Sequence, residues 1–145
     1  MKKGLVIMAT LAMALVSCSE PAQPLAIDNA LTAEEISAAR LTPEVMWKMR
    51  RIGSAEVSAD GKVVLYTVTD YSMAENRGIT RIYTLDLEAG VTTELTDTSS
   101  NNTAARWGGD GAIWFLSNRS GAMQVWRMAA DGTELKQITN IEGGV

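Results

Sequence analysis

Apolar and polar residues alternate in short runs from Gly53 onward, and turn-forming residues separate the runs. Residues 63–68 are rich in β-branched and aromatic side chains, residues 82–85 alternate again, and residues 91–95 end the series. Alternation with a period of two, broken by glycine, asparagine or aspartate, is typical of antiparallel strands joined by tight turns. The pattern therefore predicts a meander of three or four short strands.

The same series of alternating runs and turn residues occurs a second time between residues 105 and 140. The two copies correspond at Val57 and Trp107, Asp60-Gly61 and Asp110-Gly111, Val64-Leu65-Tyr66 and Ile113-Trp114-Phe115, Ile82-Tyr83 and Val125-Trp126, and Leu95-Thr96 and Ile138-Thr139. A repeat of about 40–50 residues with four short strands is the period of a β-propeller blade. We therefore predict a mainly β fold, a partial β-propeller whose two four-stranded antiparallel blades occupy residues 53–98 and 99–145.

Residues 31–52 precede the strands and carry two helix-start signals. Thr32 and Glu35 have the spacing of a capping box, and Pro43 follows Thr42 as a first helical residue follows its cap. The sequence therefore predicts a short helix to about Arg40 and a second helix that ends at Gly53.

The second predicted helix has an apolar and a basic side. Its apolar face consists of Val45, Met46, Met49 and Ile52. Its basic residues are Lys48, Arg50 and Arg51. We interpret these three as a solvated helix end rather than a binding patch, because cations near a helix C-terminus are common.

The N-terminus has the features of a secretory signal. Two lysines precede an apolar run that is too short to span a membrane. The end of this run, residues 15–18 (LVSC), resembles the bacterial lipobox, which implies a lipoprotein signal peptide at residues 1–17 and lipid attachment to Cys18. An ordinary signal peptide is the alternative. Residues 18–30, with two of the three prolines, are predicted to be a flexible tether, and the expected location is the bacterial cell envelope (periplasm or outer membrane).

Charge and residue counts restrict the chemistry further. Without Lys2 and Lys3 the chain has 11 basic and 17 acidic residues, a net charge of −6, which disfavours nucleic acid as a partner. The chain has no histidine and one cysteine, so a Ser-His-Asp triad and a His/Cys zinc site are both excluded. No phosphate- or dinucleotide-binding glycine motif occurs, and we expect neither a cofactor nor a metal.

Residues 107–139 resemble a known propeller repeat. Trp-x-x-Asp-Gly-x-Ile-x-Phe-x-Ser-x-Arg-x-Gly, followed by Gln-Val-Trp-x-Met-x-x-Asp-Gly and Gln-Ile-Thr, is similar to the PD40 repeat of TolB and of the prolyl oligopeptidase family of serine peptidases. Gly108-Gly109 stands where that repeat usually has Ser-Pro. Residues 41–68 (LTPEVMWKMRRIGSAEVSADGKVVLYTV) resemble the opening of bacterial members of this peptidase family, and residues 41–145 resemble its dipeptidyl-peptidase 5 group.

The resemblance implies a function that this chain cannot perform alone. In this family the propeller restricts access to an α/β-hydrolase domain, which releases dipeptides from peptide N-termini. The chain is therefore expected to be the N-terminal part of a longer, membrane-anchored peptidase, with short peptides as substrates and a downstream hydrolase domain as its partner. The alternative is a non-catalytic, TolB-like propeller lipoprotein that binds a protein in the cell envelope.

Individual side chains in the repeats have predicted structural roles. Asp60, Asp110 and Asp131 each precede glycine and are expected to stabilise turns. The aromatic residues Trp107, Phe115 and Trp126 are expected to pack between blades. Trp114 lies on the opposite strand face, and the sequence leaves its role open between packing and ligand stacking.

Overall fold

The computed structural model of this protein describes residues 24–145, and Cys18 lies outside them. Two short helices precede eight strands. The elements are α1 Ala33–Ala38, α2 Pro43–Lys48, β1 Arg51–Val57, β2 Val63–Ser72, β3 Arg77–Asp86, β4 Thr92–Glu94, β5 Asn102–Trp107, β6 Ile113–Ser120, β7 Ala122–Met128 and β8 Lys136–Gln137. The capping box at Thr32 and Glu35 is present.

The strands form two sheets of four, in the orders β1-β2-β3-β4 and β5-β6-β7-β8. Every pairing is antiparallel. We call the first sheet blade 1 and the second blade 2. The predicted mainly β fold with two four-stranded antiparallel sheets after short helices is confirmed.

The two blades contain matching hydrogen bonds from a backbone N–H to a threonine hydroxyl. The Ile82 N–H donates to Thr96 Oγ1 at 2.9 Å in blade 1, and the Val125 N–H donates to Thr139 Oγ1 at 2.9 Å in blade 2. The Asp-Gly turns also match, because Gly61 and Gly111 both have φ of 75°. The positive φ favours glycine at these turns.

The described core lies between the blades. Side chains alternate between the two faces of a strand, so Leu65 and Ile82 project from the same face of blade 1. They belong to a buried cluster with Ile113, Phe115 and Met128 of blade 2. The core therefore buries one face of blade 1 and the opposite face of blade 2, so that equivalent strands of the two blades bury opposite faces.

The second helix is shorter than the sequence predicts. It ends at Lys48, and Met49 already has an extended backbone. Arg51 and Ile52 pair with β2, so the expectation that Gly53 ends the helix was wrong. A Cβ at Gly53 would lie 2.5 Å from Thr67 Oγ1, which indicates that this glycine permits close strand packing.

The predicted apolar face of the second helix was also wrong. Val45 is buried, whereas Met46, Met49 and Ile52 are exposed. The strand that begins at Arg51 breaks the helical spacing on which that prediction depended. A helix of six residues cannot align four apolar positions along one core-facing side.

The chain is attached to the blades earlier than the predicted tether implies. Leu25 is buried, and its N–H donates to the Thr98 carbonyl at 3.1 Å. Asn29 bonds to Asp70 of β2 at 2.7 Å. Residues 24–30 therefore do not form a free tether along their whole length.

Candidate functional site

A buried carboxylate lies at the centre of a charged network on blade 1. Asp70, in β2, is fully buried. Its carboxylate accepts hydrogen bonds from Asn29 at 2.7 Å, from Arg50 Nε at 2.9 Å and from Arg81. Two of these donors come from the segment before β1, so this contact joins the N-terminal segment to the blade.

The network continues to β4. Arg81 donates to both carboxylate oxygens of Glu94 at 2.9 Å, and the Tyr83 hydroxyl donates to Glu94 at 2.9 Å. Arg50 donates to the Tyr83 hydroxyl at 2.8 Å. The five side chains Arg50, Asp70, Arg81, Tyr83 and Glu94 form what we call the Asp70 network.

The environment changes the proton affinity of three of these groups. Burial is the largest single influence and opposes ionisation of Arg50 and of Arg81, but the hydrogen bonds and charge interactions with Asp70 and the other network groups together outweigh it and raise the pKa of each arginine. Burial, followed by the hydrogen bond to Glu94, raises the pKa of Tyr83. All three therefore keep their protons near neutral pH.

The network lies on the face of blade 1 that points away from blade 2. Tyr66 stacks on Tyr83 with ring centroids 5.6 Å apart. The guanidinium of Arg50 covers the Tyr83 ring at 5.3 Å. Among the described residues, the N-terminal segment therefore covers part of this face of blade 1, whereas blade 2 covers the opposite face.

The Asp70 network suits binding and positioning rather than bond cleavage. Two cations face two carboxylates, so the charges balance. It contains no serine or cysteine beside a base, and the chain has no histidine. Among residues 24–145, no group of three or more His, Cys, Asp or Glu side chains has an arrangement that could hold a metal ion.

A groove lies beside the network, between the N-terminal segment and the β2–β3 hairpin. Its volume is about 450 Å³, and Ile27, Trp47, Tyr71 and Met73 are among its lining residues. Arg51 stacks on Trp47 at 4.8 Å and on Tyr71 at 4.6 Å. The groove therefore presents an aromatic and apolar wall.

The three basic residues that the sequence predicts at a solvated helix end have separate roles. Lys48 forms an ion pair with Glu35 at 2.8 Å, while Arg50 bonds to Asp70 and Arg51 stacks on two rings. The interpretation as a solvated helix end was wrong for Arg50 and Arg51, because both lie beyond the helix: Arg50 contacts blade 1, and Arg51 belongs to strand β1 of that blade.

Trp107 packs at the junction of the blades, as predicted. It lies against the buried core, and its backbone N–H and indole N–H donate to Glu56 of blade 1 at 3.2 Å and 3.3 Å. A cleft of about 330 Å³ beside it is bounded by the Asp60 and Gly111 turns. The aromatic ring therefore joins the blades and forms one wall of the cleft.

The other aromatic residues of blade 2 also have structural contacts. Phe115 is buried and Trp126 packs against the same cluster, which confirms the predicted packing role of both. Arg119 lies over the Phe115 and Trp126 rings and bonds to Asn102 at 2.8 Å. Burial lowers the pKa of Arg119, an effect that the charge of Asp97 partly offsets.

The half-buried Trp114 lies against a turn of its own blade. A Cβ at Gly108 would be 2.5 Å from Trp114 Nε1 and 2.6 Å from Asp110 Oδ1. Glycine at position 108, which differs from the usual repeat, is therefore explained by the indole beside it. These contacts favour packing as the role of Trp114.

The predicted turn residues are confirmed. Asp60, Asp110 and Asp131 each accept a backbone N–H two residues later, at 3.1, 3.1 and 2.9 Å. The sequence reasoning missed the Asp70 network. A signal was present, because Asp70 is an acidic residue within an otherwise apolar and hydroxyl-rich strand.

The chain is similar in sequence to known proteins. No protein-family model matches the chain. Dipeptidyl-peptidase 5 of Porphyromonas endodontalis is 32% identical over 119 residues, which are 81% of this chain and 17% of that protein. Dipeptidyl-peptidase 5 of Porphyromonas gingivalis is 41% identical over 86 residues, which are 59% of this chain and 13% of that protein. The chain thus spans less than a fifth of either relative.

A solved structure agrees with the fold. The crystal structure of a puromycin hydrolase matches with a TM-score of 0.54 at 19% identity, over 63% of this chain and 14% of that one. Within residues 24–145 no helix is long and apolar enough to cross a membrane. The sheets and the sequence similarity together identify the two blades as a propeller region like that of dipeptidyl-peptidase 5.

Proposed function

We propose that this chain is the propeller portion of a lipid-anchored serine exopeptidase that releases dipeptides from peptide N-termini. Similarity to two dipeptidyl-peptidase 5 proteins, over 119 and 86 residues, carries the proposal. The serine, the acid and the histidine of the triad belong to an α/β-hydrolase domain outside this chain.

The role of these residues is to restrict access rather than to catalyse. A propeller beside a hydrolase site excludes folded proteins and admits short, extended peptides. The balanced charges of the Asp70 network and the apolar core between the blades support a rigid wall. Rigid walls suit exclusion, because a barrier that deforms easily admits larger molecules.

A peptidase assay tests the proposal on the complete protein. The substrates are dipeptides joined to a fluorogenic amine, and the matched control substrates carry an acetyl group on the N-terminus. We expect release from the free dipeptides and loss of release from the acetylated ones. Equal cleavage of both would contradict an exopeptidase, and no cleavage by the complete protein would favour a non-catalytic envelope-binding propeller.

The lipid anchor is a separate part of the proposal and rests on residues 15–18. We expect Cys18 to carry acyl chains, because the LVSC segment places it at the cleavage point of a lipoprotein signal. Metabolic labelling with a fatty-acid probe compares the natural protein with Cys18→Ala. Incorporation that is equal in both would refute the anchor without affecting the peptidase proposal.

A further inference from the structure

Blade 1 buries one face of blade 2. This face carries Ile113, Phe115 and Met128, whose side chains are 0–2% exposed. Ile113 and Met128 are neighbours across β6 and β7. Leu65 and Ile82 of blade 1 belong to the same buried cluster. The joint between the blades therefore combines an apolar face of one blade with aliphatic side chains of the blade before it.

Blade 1 has a face of the same kind, which blade 2 does not cover. Val64, Tyr66 and Leu85 hold the strand positions of the three buried residues of blade 2, and Val64 pairs with Leu85 across β2 and β3. All three side chains are only half-buried. The N-terminal segment covers another part of this side of the sheet, at Asp70. We call Val64, Tyr66 and Leu85 the free face of blade 1.

A guanidinium lies over an aromatic ring beside this face in both blades. In blade 2 it belongs to Arg119 of β6, 5.0 Å from the centre of the Trp126 ring. In blade 1 the strand position of that arginine is occupied by Asp70, and the position of the ring by Tyr83. Arg50 is bonded to Asp70 and lies 5.3 Å from the centre of the Tyr83 ring. The two faces therefore match in their charged rim as well as in their apolar centre.

Blade 2 presents the complementary kind of face. On its side that points away from blade 1, Trp114 and Val125 hold the positions of Leu65 and Ile82, and both are half-buried. A blade that follows blade 2 as blade 2 follows blade 1 covers this side. That blade is then separated from the free face of blade 1 by both described blades. Because propeller blades are arranged radially around a central channel, a blade later in the series returns to the free face.

We propose that the free face of blade 1 binds another propeller blade of the same polypeptide, one that comes later than the blade stacked on blade 2. This partner presents aliphatic side chains, as Leu65 and Ile82 do in the described joint. The inference rests on the proposed function in one respect, because it requires a polypeptide that continues beyond residue 145. The two relatives have that length, since this chain spans 17% and 13% of them.

Site-specific photocrosslinking in the complete protein tests the contact. The photoreactive amino acid benzoylphenylalanine replaces Tyr66 on the free face, and in separate control variants it replaces Trp126 or Trp114. Peptide mass spectrometry then identifies the segment that each probe reaches. We expect the probe at position 126 to reach blade 1 and the probe at position 114 to reach the repeat directly after residue 145. The probe at position 66 should reach a propeller repeat further along the same polypeptide.

The result does not depend on peptidase activity. A cross-link from position 66 to a later repeat, in a protein that releases no dipeptides, would remove the proposed function and leave this inference standing. A cross-link to a hydrolase domain, or to a second copy of the protein, would overturn the inference, and the second copy is recognised by the doubled mass on a denaturing gel. Absence of a cross-link at position 66, while the two control probes react, would overturn it as well.

Discussion

The Arg50 guanidinium donates to the Asp70 carboxylate across 2.9 Å, although the two residues are twenty positions apart. The Asp70 side chain is fully buried, while that of Arg50 is about half exposed. The pair therefore brings a charge from the segment before β1 to a carboxylate that water does not reach. It makes the N-terminal segment part of the folded unit.

Asp70→Asn should destabilise the protein by about 3–5 kcal/mol, because removing one partner leaves the Arg50 and Arg81 charges without their buried carboxylate. Urea unfolding of the complete protein measures the change. Asp110→Asn is the control, since Asp110 pairs with Arg127 at the surface, where such pairs contribute about 0–1 kcal/mol. Equal effects of the two substitutions would contradict a special role for Asp70.

Gly108→Ala should destabilise the protein by about 1–3 kcal/mol, because the new Cβ would overlap Trp114 Nε1 and Asp110 Oδ1. Near-ultraviolet circular dichroism should report the displaced indole. Gly109→Ala is the matched control, because a Cβ there meets no atom within 4 Å. If Gly109→Ala were as harmful as Gly108→Ala, the explanation by contact with Trp114 would be wrong.

Trp107→Ala should cost about 3–5 kcal/mol in the complete protein, since the substitution leaves a cavity beside the core between the blades. Trp107→Phe should cost less, because a ring still fills the site even though the hydrogen bond from the indole N–H to Glu56 is lost. Thermal unfolding measures both variants. A loss below about 1 kcal/mol for the alanine variant would mean that this contact adds little to blade packing.

Stability should fall in acid below about pH 4.5, because several carboxyl groups have a lower pKa in the folded chain than in the unfolded one. The hydrogen bond from Lys48, followed by that from the Thr32 N–H, lowers the pKa of Glu35 from its usual 4.5. Hydrogen bonds from Arg127 and then from the Ala112 N–H lower the pKa of Asp110 from its usual 3.8.

The sign follows from these directions. A lowered pKa adds stability above the unfolded value, and this stability is lost as pH falls through the folded value. Glu35→Gln should therefore reduce the difference between urea midpoints at pH 7 and pH 3, and Glu88→Gln, at an exposed turn, serves as control. A difference unchanged by Glu35→Gln would contradict a contribution from its pairing with Lys48.

Local patterns in the sequence were enough to predict the repeats, the strand type and the turns. Asp60-Gly61 and Asp110-Gly111 form their turns with contacts to residues one or two positions away, so short-range chemistry decides them. The Thr32 capping box is equally local. The period-two alternation then determines which residues share a strand face.

Tertiary structure alone decided which of these faces is covered and which charges meet. Equivalent strands bury opposite faces, since Leu65 of blade 1 and Phe115 of blade 2 belong to the same buried cluster, and no single repeat contains that information. Pairing with β2 places Arg51 in strand β1 rather than in the predicted helix. The Asp70 carboxylate accepts hydrogen bonds from three side chains at distant positions in the sequence, those of Arg50, Arg81 and Asn29. These outcomes depend on burial between segments far apart in the chain, where the cost of an unpaired charge selects the partners.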